Sequence, residues 1–280
     1  MDGRYRLRRW KDRSMAAATS LCTLLVLVPL ILVLVFLAGT GLSALNWDFF
    51  TKLPGAAGEP GGGMANAIAG TLLVISLAGV LGIPLGVFGG TFLAEYPAAR
   101  LSQLARFAAD VMNGIPSIVM GLFAYVVIVL PMRHFSAVAG GVALGVMLIP
   151  TVMRTTEEIV RLVPQSVREA SLALGIPLWK TTLRVVLPTA AAGIVTGIMV
   201  GVARIAGETA PLLFTAFGNR FWNWSVLRPT AALPLQIFAY AISPFDDWHR
   251  QAWAGALVLV TIVLVVNVAA RVAAGRQVKL

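Results

Sequence analysis

The run MAAATSLCTLLVLVPLILVLVFLA, residues 15–38, places the molecule in lipid: 24 consecutive positions carry no Asp, Glu, Lys or Arg. About 20 such residues in helical form cross the hydrocarbon core of a bilayer. A cleaved signal peptide is also flanked by basic residues before and small ones after, but its apolar part is only about 7–15 residues long. The run therefore reads as a retained membrane anchor. The rest of the 280-residue chain agrees, with 58% hydrophobic and 12% charged residues, where a soluble domain carries about 25% charged. Mean hydropathy is +0.85. Cys22 lies inside the apolar run and is the only cysteine, so it reads as a buried, inert thiol with no disulfide partner in the chain.

Five further spans follow outward from the first. They are placed within 60–94, at Val111–Met132, at Phe135–Met153, from near Val185, and over Gln251–Ala270. Six spans put both termini on one side, and basic residues in short loops test that count, because they favour the cytoplasmic face. Sixteen of the 22 basic residues fall on the expected inner side, five (Lys52, Arg133, Arg220, Arg228 and Arg250) on the outer, and Arg204 lies within a span. The net charge of +10 is thus an orientation signal, and nucleic acid is not needed as a partner to explain it. The seven tryptophans avoid the middles of spans, as expected of residues that prefer the interface. Trp222, Trp224, Trp248 and Trp253 make 217–250 an interfacial or partly re-entrant outer stretch. The expected division is a basic inner terminus (1–14), a first span (15–38), an outer loop (39–64), a core (65–270) and an inner tail (271–280).

The inner loop between spans four and five holds a short helix from Pro164 to Gly175, with proline suited to its first turn and glycine to its end. Val167, Ala170 and Leu174 recur at helical spacing and form a small apolar face. That face either docks on another protein or rests on the bilayer. Within span five, Gly193, Gly197 and Gly201 allow close helix packing, and Arg204 and Glu208 follow on the same face. Charges inside a span are costly and turn toward partners or wet cavities. Separation by four residues lets this pair bond internally, either as a structural ion pair or as a transport element. An arginine fork suits an oxyanion. Counting about 1.5 Å per residue from Pro188 puts Arg204 roughly 24 Å along the helix, in the outer half of the membrane.

Glu169, Ala170 and Ser171, then Gly175, then Val185, Leu187 and Pro188 resemble the EAA loop of bacterial ABC importer permeases, with Ser171 for the second Ala and Val185 for Ile. The resemblance implies a type I importer permease (MetI-like) fold, all-α with six spans, with the EAA loop over 164–188. It also implies that Glu169, Ala170 and Gly175 couple the chain to a cytoplasmic ATPase. The stretch Ala203-Arg-Ile-Ala-Gly-Glu-Thr-Ala-Pro-Leu-Leu-Phe214, and Gly114-Ile-Pro-Ser-Ile-Val119, resemble the PstA-type permeases of phosphate-specific importers. That likeness implies a phosphate pathway through Arg204, Glu208, Thr209, Asn113 and Ser117. The partners it implies are a second, PstC-type permease, two PstB-type ATPase subunits that hold ATP and Mg, and a PstS-type external phosphate-binding protein, all at the bacterial inner membrane.

Other features read more plainly. Gly82, Gly86 and Gly90, and Gly141 with Gly145, are helix-packing positions. Pro116 is expected to kink span three, and Asp110 to pair with Arg106 at that span's inner end. His134 and His249 stand apart with no ligand-spaced partner, so no metal is expected. The chain holds no Gly-x4-Gly-Lys-Ser/Thr sequence for binding ATP, so no cofactor of its own is expected. Two other readings of the spans remain at this stage: a permease for another oxyanion such as sulfate or molybdate, and a gradient-driven carrier. An intramembrane enzyme using Glu208 has no visible nucleophile and base.

Overall fold

A computed structural model describes residues 3–59 and 61–277. Met1, Asp2, Pro60 and the last three residues of the expected tail lie outside the described residues. Eleven helices are followed here: α1 Gly3–Gly41, α2 Trp47–Thr51, α3 Ala65–Glu95, α4 Arg100–Gly114, α5 Ser117–Met132, α6 Ala137–Arg161, α7 Gln165–Ala173, α8 Leu178–Ala206, α9 Ala210–Leu213, α10 Leu233–Ala241 and α11 Asp246–Gln277. Among the described residues there is no strand, only two isolated bridges, Pro54 with Gly62 and Phe217 with Thr230. Five helices (α1, α3, α6, α8 and α11) are long and apolar enough to cross a membrane, and the bent pair α4–α5, counted as one broken span, makes six.

The core is the pair α3 and α6, which run parallel: Leu77 meets Gly141, Leu81 meets Gly145 and Gly86 meets Val152. Glycines let their backbones nearly touch, so that a methyl group on Gly86 would stand 2.6 Å from Val152 Cβ, and one on Gly90 2.3 Å from the Met153 carbonyl oxygen. Gly141 and Gly145 receive Leu77 and Leu81 from α3 in the same way. On the other side of α6, Gly193, Gly197 and Gly201 of α8 meet Ile159, Thr155 and Leu148. At these positions glycine has one role: lipid offers no hydrophobic drive between helices, and close van der Waals contact takes its place.

The third span departs from the sequence expectation. Residues 111–114 belong to α4, which meets α5 at 105°, and Ile115 and Pro116 between them are extended (φ −71, ψ 131 and φ −57, ψ 136). Proline disfavours the helical region for the residue before it, and here Ile115 takes the extended form and ends α4, whereas Pro84 and Pro150 are carried inside α3 and α6. α4 lies across the body with Ser102 and Ala109 buried and Leu101, Leu104 and Phe107 exposed. Span five also begins earlier than expected, at Leu178. A π turn over Thr182–Val186 lets Leu187 N–H reach the Thr182 carbonyl just before Pro188. The same device, Tyr125–Val129, precedes Pro131 in α5. Each wide turn relieves the clash that proline would make with the carbonyl four residues back.

At the end of the bundle remote from α7, the segment 214–232 folds over the start of α6. Its carbonyls at Thr215, Val226 and Arg228 accept from Ser136, Val138 and Ala137 N–H, satisfying donors that a helix start leaves free. Phe49, Met64, Leu233, Tyr240 and Val258 form a second apolar cluster there. α1 touches the body at this end through Phe36 against Trp253, ring centroids 5.1 Å apart, while its long apolar face stays exposed. Cys22 is exposed with it, not buried as expected, because among the described residues no other helix packs on that part of α1.

Candidate functional site

Two regions gather the polar groups singled out by sequence, one at each end of α8. The first lies at its C-terminal end. Arg204 stands in the last turn of α8, which stops at Ala206, a favourable place for a cation beside the unsatisfied carbonyls of a helix end. Glu208 and Thr209 fall beyond it, in the turn leading into α9. The helical pairing of Arg204 with Glu208 expected from their spacing does not form. The helix ends between them, and among the described residues neither side chain makes an ion pair or side-chain hydrogen bond. Arg204 is exposed and Glu208 half-buried, so an anion meeting the Arg204 fork has no internal partner to displace.

The other expected pathway residues lie on segments that pack near this end of α8. Asn113, at the end of α4, accepts a 3.3 Å hydrogen bond from Thr151 Oγ1 on α6. A methyl group on Gly201 would lie 3.5 Å from the same threonine, one turn of α8 from Arg204. Ser117 starts α5, and Gly121, four residues on, packs against Pro211 in α9. The break at Pro116 and the end of α8 thereby bring Asn113, Ser117, Arg204, Glu208 and Thr209 onto neighbouring segments. Thr151 is the member that sequence reading passed over, because a lone threonine in an apolar helix carries no signal of its own.

The second region surrounds α7 at the opposite end. α7 is the expected short helix, with Pro164 just before it. It closes on a Schellman arrangement: Gly175 N–H bonds the Leu172 carbonyl and Ile176 N–H the Ser171 carbonyl. Gly175 has φ +75, a conformation that needs glycine. The expected apolar face is divided. Val167 turns into the body, whereas Ala170 and Leu174 point outward, Leu174 with 79% exposure. Glu169 is exposed beside them, and Leu178 and Trp179 extend the outward patch. Ser171 is buried and bonds Thr181 at 2.9 Å, which explains a polar residue at the second Ala position of the motif.

Next to α7 lies a charge cluster that the sequence reading did not assemble. Glu157 of α6, 1% exposed, receives Arg106 at 2.6 Å, Arg161 at 2.7 Å and Arg154 at 2.9 Å. Arg106 also donates to the carbonyls of Leu93 and Pro97, tying α4 to the end of α3. Asp110 pairs with Arg154 at 3.2 Å, not with Arg106 as expected. Arg106 is drawn instead to the buried carboxylate, where an unpaired charge would cost most. The i+3 and i+4 spacing of Arg154, Glu157 and Arg161 was the available signal.

Comparison with known proteins places this geometry. Residues 82–279 match the family described as binding-protein-dependent transport system inner membrane component. The phosphate transport system permease protein PstA of Yersinia pestis is 44% identical over 276 residues, covering 97% of this chain and 94% of the relative. The protein of the same name from Xylella fastidiosa (strain 9a5c) is 47% identical over 237 residues, covering 84% and 82%. Among solved structures, an inward-facing form of the MetNI methionine ABC transporter superposes with a TM-score of 0.60 at 18% identity, over 76% of this chain and 93% of that one. That likeness carries the fold alone. The chain belongs to the binding-protein-dependent transport system inner membrane component family, and its close relatives in that family are PstA permeases.

Proposed function

We propose that this chain is the PstA-type permease subunit of an ATP-driven importer that carries inorganic phosphate across the bacterial inner membrane. The observation that carries this reading is similarity along almost the whole chain to phosphate permeases. A PstC-type permease completes the pore, two PstB-type ATPases with their ATP and Mg supply the work, and a PstS-type binding protein delivers phosphate from outside. Both termini lie in the cytoplasm, as the distribution of basic residues favours. The chain itself catalyses no reaction.

In this reading the outward patch on α7, with Glu169, Ala170 and the turn at Gly175, docks on an ATPase subunit. Closure of the ATPases pushes α7 and tilts the spans above it. Phosphate then meets Arg204, whose planar fork matches two oxyanion oxygens. Asn113, Ser117 and Thr209 offer hydrogen bonds along the way. Glu208, in the turn beyond the end of α8, does not pair with Arg204 in this arrangement, and its approach to the guanidinium as the spans tilt would favour release. Labelled phosphate uptake at micromolar concentration, in cells lacking the gene and in cells with it restored, tests the assignment. Uptake that depends on the gene and resists excess sulfate and molybdate is the expected result. Loss of sulfate or molybdate uptake instead, with phosphate uptake unchanged, would reassign the substrate. Arg204→Gln, assembled at normal levels, is expected to abolish uptake, and full retention would remove Arg204 from the path.

A further inference from the structure

Arg168 sits one residue before Glu169 in α7 but faces the other way. Its NH1 is paired with Glu95 Oε1, at the last residue of α3, and its NH2 donates at 3.0 Å to the carbonyl of Val160, at the end of α6. The side chains are 14% and 8% exposed, so solvent screens this pair far less than a surface one. A charge-assisted hydrogen bond in such a setting is short and directional. One planar fork therefore holds three helices: the one that touches the outside world at this end, and the two whose glycine-mediated contact forms the core.

We infer that Arg168 is the positioning residue of the coupling step: it clamps α7 to the ends of α3 and α6, so that displacement of α7 moves that pair as one body. The inference rests on the reading of α7 as the ATPase-docking helix. Without the clamp, among the described residues the Ser171–Thr181 hydrogen bond, the half-buried Val167 and the chain connections remain to hold α7 to the body. A cavity of about 340 Å³, lined by Glu95, Arg161, Arg168, Leu172 and Thr181, adjoins it and leaves α7 room to shift. A push on α7 would then be spent locally. Lysine replaces the arginine only in part, because an ammonium keeps the charge but lacks the rigid fork that reaches a carboxylate and a carbonyl together.

The test uses the whole importer, this chain with its partner permease and ATPases, purified and reconstituted in liposomes with the binding protein. Phosphate taken up per ATP hydrolysed is read together with the amount of assembled complex. Arg168→Gln and Glu95→Gln should each lower uptake per ATP roughly tenfold, the scale of a coupling change, with assembly retained. The double variant should be no worse than either single one, since two partners in one interaction are not additive. Arg168→Lys should fall between. Uptake per ATP unchanged in both Gln variants, additive losses, or a fall only in proportion to lost complex would overturn the clamp. Ala170→Arg on the outward face separates the two readings. If it leaves assembly and uptake intact, docking through α7 is what fails. If it blocks ATPase attachment while Arg168→Gln still transports at the normal ratio, docking stands and the clamp falls.

Discussion

A single carboxylate, Glu157, organises the charges beside α7. Three guanidinium groups converge on it at 2.6–2.9 Å, and removing its charge would leave them facing one another. Breaking a buried ion pair by neutralising one partner costs about 3–5 kcal/mol. Glu157→Gln is therefore expected to lower the unfolding midpoint of the purified complex markedly. Asp110→Asn, at a carboxylate that is 58% exposed, should cost at most about 1 kcal/mol. Equal shifts for the two would show that burial does not set the energetics here. Gly175 is a second single-residue determinant. Nothing lies within 4 Å of the place a methyl group would occupy, so its requirement is conformational. Gly175→Ala should cost about 1 kcal/mol from the left-handed backbone alone. The expected readout is faster amide exchange across the peptide 165–178, by about fivefold, with Gly175→Asn less affected.

At the scale of elements, contact between α3 and α6 depends on missing side chains. Gly86→Val would drive atoms into Val152, whose Cβ already lies 2.6 Å from the first added carbon. Overpacking of this kind typically costs about 1–3 kcal/mol, and it should show as reduced recovery of assembled complex. Gly39→Ala in α1 meets nothing within 4 Å and should leave recovery unchanged. If both variants behave alike, close approach is not what holds the pair. The six-span count, the glycine faces and the short helix ending at Gly175 were all legible in the sequence. They follow from local rules: apolar length, four-residue spacing, and the backbone freedom of glycine. The right-angle turn into α5 was only half legible. Pro116 announced a break, but its size depends on α4 lying across the body with Arg106 reaching Glu157, a contact 51 residues away.

For the whole molecule, orientation is the property that function needs and that impermeant labelling reads directly. With Cys22 replaced by Ser, Asn223→Cys is expected to react with an impermeant maleimide in intact spheroplasts. Ser166→Cys should react only in inverted vesicles. The reverse pattern would invert the reading of the basic residues and put α7 out of reach of a cytoplasmic ATPase.

Sequence alone determined that this chain carries helices long and apolar enough for lipid, which glycine faces of those helices come close, and where the short helix ending at Gly175 interrupts them. Each of these is set by composition and periodicity over one or two turns. The likeness of residues 164–188 and 203–214 to ABC importer permeases supplied the family. Tertiary structure alone decided which charges meet across helices. Arg204 and Glu208 are separated because α8 ends between them. Asp110 yields Arg106 to Glu157, and Arg168 turns from the docking face to join Glu95. Ion pairs form between whichever groups the packing brings within about 4 Å, and that distance is fixed by how whole helices cross.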